Sequence, residues 1–311
     1  KEGMAFRSLP CAPLPKSPLD APGFLWAAMR GYFAARRLLR TSRVAAVVGL
    51  GGFSSYAPAK AALALGLPVL LLEQNVVPGF ANLRLARRAT LVCASLAQSV
   101  EHLPAGARCE VTGNPLRRSI IESASSGQYN PAGGILVLGG STGAVGLNAL
   151  VTAAAPSLAA LGRGITHQTG AADADKARAA YASAGVSATV LPFIDDMPGA
   201  YRSASLVITR AGGTTLSEIA LFGLPSILVP YPHHKDYHQM ANARVFADAG
   251  AAEIIEERVS TGNDLAGAAE RLLSDAGRLA AMSGAAKGLG NPLAAEAVAS
   301  RILEYVGNGT E

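Results

Sequence analysis

Short, unbroken apolar runs alternate with alanine-rich helical segments from about residue 44 onward, and this alternation constrains the fold more than any other feature of the sequence. Residues 44–48, 69–72, 90–93 and 110–112 read as strands, and 58–65, 79–87 and 96–103 as helices. The strands are short and continuous, not alternating. A strand with one wet face alternates apolar and polar residues, whereas one covered by helices on both faces does not, so the pattern predicts parallel strands in α/β layers. Further on the pattern restarts, with strands over 135–138, 165–168, 188–191, 206–209, 226–229 and 251–255 and helices over 144–161, 173–184, 195–203, 214–222 and 237–249. Six strands joined by helical crossovers make a complete doubly wound unit. The earlier run, about four strands after a long non-strand opening, looks like the second half of such a unit.

Between the two runs lies SASSGQYNPAGG, a small, polar, turn-rich stretch that reads as a linker over 123–134. It divides a first domain over 1–122 from a second over 135–290, and 291–311 reads as a terminal helix packing back towards the first. The chain of 311 residues is half apolar and only 16% charged, which excludes a disordered protein. Residues 132–162 carry no charge and are long enough for a membrane span, but the glycine loop GGSTG interrupts them between strand and helix. Cys11, Cys93 and Cys109 are odd in number and lack C-x-x-C spacing, so they encode neither a disulfide framework nor a zinc site. A reducing compartment fits.

Charge is unevenly divided: residues 1–118 hold 15 Lys/Arg and 5 Asp/Glu, and residues 119–311 hold 12 and 17. A basic half suits nucleic acid, an anionic membrane surface or a phosphorylated substrate, and sign alone does not choose among them. Nucleic acid is disfavoured, because no aromatic residues interleave with a basic groove and no reading motif occurs. A helix over 23–40 groups Leu25, Trp26, Met29, Tyr32 and Phe33 ahead of Arg36, Arg37, Arg40 and Arg43. It is either a core-facing stripe with a solvated basic end or an interfacial patch.

Three turns follow apolar strands of the second domain: GGSTG at 139–143, TRAGGTT at 209–215 and PYPHHKDYHQ at 230–239. In an open parallel sheet, ligands bind at the carboxyl ends of strands, where glycines admit a phosphate to backbone N–H groups and helix N-termini favour negative charge. The plain alternative is a tight strand-to-helix turn. Neither G-x-G-x-x-G nor a P-loop motif occurs. Glu218, four residues after Thr214, either complements a helix N-terminus or accepts from two ribose hydroxyls.

The ordered set GGSTGA (139–144), HQTG (167–170), FIDDM (193–197), RAGGTTLSE (210–218), GLPSILVPYP (223–232) and DYHQMANA (236–243) resembles the UDP-N-acetylglucosamine transferases of peptidoglycan synthesis, glycosyltransferase family 28. GLGGFSSYAP (49–58), GLPVLLLEQNVVPGFAN (66–82) and VTGNPLR (111–117) match the same family in the same order. The resemblance covers nearly the whole chain from about residue 20. It implies an α/β fold of GT-B type, two doubly wound Rossmann-like domains facing a cleft. The implied reaction is inverting transfer of N-acetylglucosamine from UDP-N-acetylglucosamine to lipid I, the undecaprenyl-pyrophosphoryl-N-acetylmuramoyl-pentapeptide. Ser141 would contact the nucleotide diphosphate, and the backbone of Ile194 the uracil. Gly213, Thr214, Thr215, Leu216 and Ser217 would form the helix N-terminus under the phosphates, and Glu218 would take the ribose hydroxyls. Gln239 and Asn75 would contact the sugar, Arg117 the nucleotide side, and Gly51 and Gly52 the acceptor pyrophosphate. No cofactor or metal is implied, although His233, His234 and His238 form a histidine-rich loop. The implied setting is the cytoplasmic face of the bacterial membrane, on an anionic surface, with other cell-wall synthesis proteins as partners and no nucleic acid.

The family opens with a strand and a G-G-T-G-G-H loop whose histidine is a candidate base, and no such segment occurs in these residues. The first domain is therefore expected to be partial in this chain, with turnover reduced or lost and no assigned base. A UDP-sugar-binding protein without turnover, or another glycosyltransferase of the same fold, is the alternative.

Overall fold

A computed structural model of the chain describes residues 5–11, 17–140, 144–232 and 237–307. It divides into two compact units, residues 1–115 with 293–311, and residues 116–292.

The first unit runs α1 (Ala21–Thr41), β1 (Val47–Gly49), α2 (Gly52–Ala64), β2 (Val69–Glu73), α3 (Phe80–Leu85), β3 (Leu91–Ala94) and β4 (Cys109–Val111). Its strands are parallel, in the order β1-β2-β3-β4. The segment expected as a helix over 96–103 is a 3-10 helix, Ala97–His102. Every residue of β2 and β3 is buried, because successive side chains point to opposite faces and both faces are covered; Glu73, at the end of β2, is the charged exception. Val69, Leu71 and Val92 pack with Ala35, Leu39, Ala59 and Ala62 from α1 and α2. Leu70, Leu72, Leu91 and Cys93 meet Val298, Ile302 and Tyr305 of the terminal helix on the other face. Each fully buried Leu or Val contributes about 1.5–3 kcal/mol.

The core-facing reading of the aromatic stripe on α1 does not hold. The buried positions of this helix are Gly31, Ala35 and Leu39, four residues apart and small enough at two of the three to let α1 lie close on α2. Leu25, Trp26, Met29 and Phe33 are each at least half exposed. Arg30, Arg37 and Arg40 are exposed with them, whereas Arg36 is half-buried and Tyr32 leans on the core.

The second unit opens with α4 (Arg118–Ser126) and continues β5 (Gly134–Leu138), α5 (Val145–Ala160), β6 (Ile165–Gln168), α6 (Ala174–Ser183), β7 (Thr189–Leu191), α7 (Met197–Arg202), β8 (Ala204–Thr209), α8 (Gly213–Phe222), β9 (Ser226–Leu228), α9 (His238–Asp248), β10 (Ala252–Ile254), α10 (Gly262–Leu273) and α11 (Ala276–Leu289). The terminal helix α12 (Ala294–Gly307) belongs to the first unit, where Arg301 pairs with Glu110 at 2.7 Å. The order β10-β9-β8-β5-β6-β7, all parallel, has the chain enter at the middle and wind first one way and then the other. The crossovers therefore diverge between β5 and β8, whose ends are level because Leu138 pairs with Thr209. Such a divergence opens a crevice at the strands' carboxyl ends.

The division between units falls at Pro115 and Leu116, earlier than the expected linker over 123–134. The reason lies in that stretch's own bonds: α4 packs on α7 and α8, the Tyr129 hydroxyl donates to the Ser205 carbonyl at 2.9 Å, and the Ser205 hydroxyl donates to the Gly133 carbonyl at 2.8 Å. These ties make it part of the second unit's body.

His167, fully buried on β6, lies 3.1 Å from the Tyr181 hydroxyl and 3.2 Å from the Asn148 side-chain oxygen. Burial pushes its pKa down to about 4. The unfolded chain takes up this proton near pH 6.5. Its contribution to stability is thus present above pH 6.5 and lost as pH falls towards 4, in total about 3 kcal/mol. Melting measured from pH 7.5 to 4.5 should fall less steeply in His167→Gln than in the wild type. Parallel curves would show that His167 is not the titrating group.

Candidate functional site

In the second unit a cavity of about 840 Å³ opens at the carboxyl ends of β5 and β8. Gly139 and Gly140 leave β5 there. A Cβ at Gly139 would come within 2.8 Å of the Gln168 carbonyl, and Gly140 has φ +76°, so side chains are excluded at both. Ser141, which follows them, lies outside the described residues.

After β8 the chain passes Arg210 and Gly212 and enters α8. Gly212 caps the helix and has no side chain to offer the leading N–H groups at Gly213, Thr214 and Thr215. Thr215 lines the cavity, Thr214 is exposed, and Gly213 and Leu216 are buried behind them. The Ser217 hydroxyl donates to the Gly213 carbonyl at 2.8 Å, inside the helix.

One turn further, Glu218 is 7% exposed and lines the cavity. The Tyr201 hydroxyl donates to its Oε2 at 2.8 Å, and Arg117 reaches its Oε1 at 3.5 Å. Tyr201 is fully buried, with its ring 5.1 Å from that of Phe222. Burial, and then the neighbouring Glu218 charge, hold the Tyr201 hydroxyl well above the usual phenol range, so it stays protonated and donates.

Ile194 has a buried side chain, which leaves its backbone as the part able to meet a ligand, while its neighbours Phe193 and Met197 line the cavity. Gln239 lines it from the start of α9, with its side-chain oxygen accepting from the Tyr231 N–H at 2.9 Å. Two charged residues that sequence reasoning gave no role also line the wall: Arg210 pairs with Glu257 at 2.5 Å and donates to the Val229 carbonyl at 3.0 Å. Arg210 stood inside a recognised motif, but nothing local to Glu257 signals its partner. The same holds for Tyr201 and Glu218.

The first unit gathers its own loops at adjacent strand ends. Gly51 and Gly52, at φ +84° and +72°, follow β1 and start α2 without a side-chain cap. At the end of β2, the buried Glu73 carboxylate accepts from the Asn75 N–H at 2.9 Å, the Asn75 amide at 3.3 Å, the Gly79 N–H at 2.9 Å and the Asn82 amide at 2.9 Å. Asn75 is thereby held in place, and the Ser99 hydroxyl donates to its carbonyl at 2.9 Å. Glu73 was legible as a member of the E-Q-N element, but not as its organiser. Among the described residues no cluster of His, Cys, Asp or Glu could hold a metal; His233 and His234 lie outside them.

Residues 134–298 match the family model of the glycosyltransferase family 28 C-terminal domain, and residues 1–94 that of the N-terminal domain. The chain belongs to glycosyltransferase family 28. Among relatives of this family, the UDP-N-acetylglucosamine–N-acetylmuramyl-(pentapeptide) pyrophosphoryl-undecaprenol N-acetylglucosamine transferase of Geobacter sulfurreducens is 40% identical over 279 residues, 88% of this chain and 76% of the relative. The transferase of the same name from Nitratidesulfovibrio vulgaris is 43% identical over 270 residues, 81% and 70% of the two chains. A crystal structure of Acinetobacter baumannii MurG superposes with a TM-score of 0.72 at 35% identity, covering 90% of this chain and 80% of that one. The family 28 chain thus shares the GT-B fold, with parallel-sheet α/β architecture in both units.

Proposed function

We propose that the chain transfers N-acetylglucosamine from UDP-N-acetylglucosamine to the muramoyl 4-hydroxyl of lipid I, inverting the anomeric centre and yielding lipid II for peptidoglycan. The observation that carries this reading is the cavity at the switch point, where an uncapped helix N-terminus and a held carboxylate stand one helical turn apart. A nucleoside diphosphate has those two needs, donors for its phosphates and an acceptor for its ribose. The N–H groups of α8 and the glycine loop after β5 take the diphosphate, Glu218 the ribose hydroxyls, and the Ile194 backbone the uracil. Gln239 and Asn75 contact the sugar, Arg117 the nucleotide side, and Gly51 and Gly52 the acceptor pyrophosphate. Ser141 joins the phosphate loop on the family resemblance alone. As UDP departs, its growing negative charge meets donors already oriented towards it, which lowers the barrier without reorganisation.

The exposed Leu25, Trp26, Met29 and Phe33 beside Arg30, Arg37 and Arg40 support peripheral attachment to an anionic membrane surface, on the cytoplasmic side where UDP-sugars are used. No helix among the described residues is long and apolar enough to cross a membrane.

Incubation with UDP-N-acetylglucosamine and a lipid I analogue should yield the β-linked disaccharide lipid, and calorimetry should register UDP binding. Glu218→Ala should weaken UDP by about 1.5–3 kcal/mol, the worth of hydrogen bonds to a charged group. Binding of UDP with no transfer would favour a UDP-sugar-binding protein. Unaltered UDP affinity in the variant would remove the ribose role of Glu218.

A further inference from the structure

We infer that Tyr201 is the positioning residue through which Glu218 selects a ribose over a 2′-deoxyribose in the donor nucleotide, an inference that rests on the ribose reading above. An ionised carboxylate offers about four acceptor positions and, on a glutamate, turns easily about its last torsion. To accept from two vicinal hydroxyls it must present one edge and keep its plane. Among the described residues two donors touch Glu218, one on each oxygen, and they are not equal. Arg117 is 65% exposed and 3.5 Å away, so water competes for it and its hold is weak. Tyr201 is fully buried, and its hydroxyl donates at 2.8 Å. Its ring is confined against Phe222, and a buried hydroxyl is costly to leave without a partner, so the bond is kept. The tyrosine thus fixes the carboxylate plane and leaves acceptor positions on both oxygens for the cavity that Glu218 lines.

The placement has a second consequence. Tyr201 rides on α7, a short helix capped by Asp196, whose side chain accepts from the Gly199 N–H at 2.9 Å. That cap directly follows Ile194 and Asp195 in the chain. The residue proposed to meet the base and the one that holds the ribose acceptor are therefore only seven positions apart in the chain.

The test compares UDP with 2′-deoxy-UDP by calorimetry on the full chain. The wild type should prefer UDP by about tenfold or more, as expected for a hydroxyl bonded to a charged acceptor. Glu218→Ala should abolish the preference. Tyr201→Phe, which removes one atom and keeps the ring, should reduce it to about twofold while 2′-deoxy-UDP binds as in the wild type. A full preference in Tyr201→Phe overturns the positioning role and leaves the ribose reading standing. A preference that survives Glu218→Ala overturns the ribose reading and this inference with it. Loss of both binding and a melting transition in Tyr201→Phe makes the tyrosine purely structural.

Discussion

Glu73→Ala should lower the melting temperature of the first unit by roughly 10 °C and abolish transfer, while UDP binding stays as it was. The carboxylate is 2% exposed and accepts from two backbone N–H groups and two asparagine amides. Alanine removes the acceptor and strands these donors in a site that water enters poorly. The cost is about 3 kcal/mol or more, because each unsatisfied buried group loses about 1–3 kcal/mol. For a unit of this size that corresponds to roughly 10 °C. Glu73→Gln keeps the shape but turns an NH₂ towards donors, so it should recover part of the stability and little of the activity. The loss of activity follows from Asn75, whose position depends on this carboxylate. UDP binding is spared because the residues proposed to hold UDP belong to the other unit. Calorimetric melting with a parallel UDP titration separates the effects; a variant that melts and transfers like the wild type would show that the E-Q-N loop is held by other means.

Reversing Arg37 and Arg40 together should reduce binding to anionic vesicles about a hundredfold at low salt. Each basic residue near such a surface contributes about 1 kcal/mol, reversal adds repulsion to the roughly 2 kcal/mol lost, and tenfold in partition corresponds to about 1.4 kcal/mol. These two arginines are exposed on α1, in line with Trp26, Met29 and Phe33, which are 62%, 50% and 60% exposed. Arg36 is a poorer probe, because it is half-buried and its substitution would disturb the helix packing. Trp26→Ala with Phe33→Ala should leave melting nearly unchanged, since neither is in the core, and should remove most of the binding that persists at high salt. Phosphatidylglycerol vesicles in sedimentation, against neutral phosphatidylcholine, read both effects. Equal sedimentation with the two lipids, or binding indifferent to all four substitutions, would move the membrane contact away from α1.

Much of the fold was legible in the residues alone. Unbroken apolar runs such as 69–72 and 206–208 announce a sheet covered on both faces, because alternation disappears only when neither face is wet. Turn glycines, read in order with their neighbours, were enough to indicate the family and to mark Glu218 and Gln239. Helix burial was not so readable: on α1 the aromatic residues admitted either a core stripe or an interfacial patch, and the core positions are instead Gly31, Ala35 and Leu39, because close helix packing rewards the absence of a side chain as much as the presence of an apolar one. The position of the unit boundary also depended on tertiary bonds, since SASSGQYNPAGG has linker composition yet is tied to Ser205.

The sequence by itself determined the layering, the strand positions and the loops able to meet an anion, all of which follow from local periodicity and turn chemistry. Only the tertiary structure decided which groups hold the polar side chains of each unit: Tyr201 on Glu218 and Glu257 on Arg210 in the second, and Glu73 beneath Asn75 in the first. The physical reason is that periodicity reports which face of an element is buried. A hydrogen bond instead depends on where two separately buried atoms come to rest, and no single element's pattern contains that information.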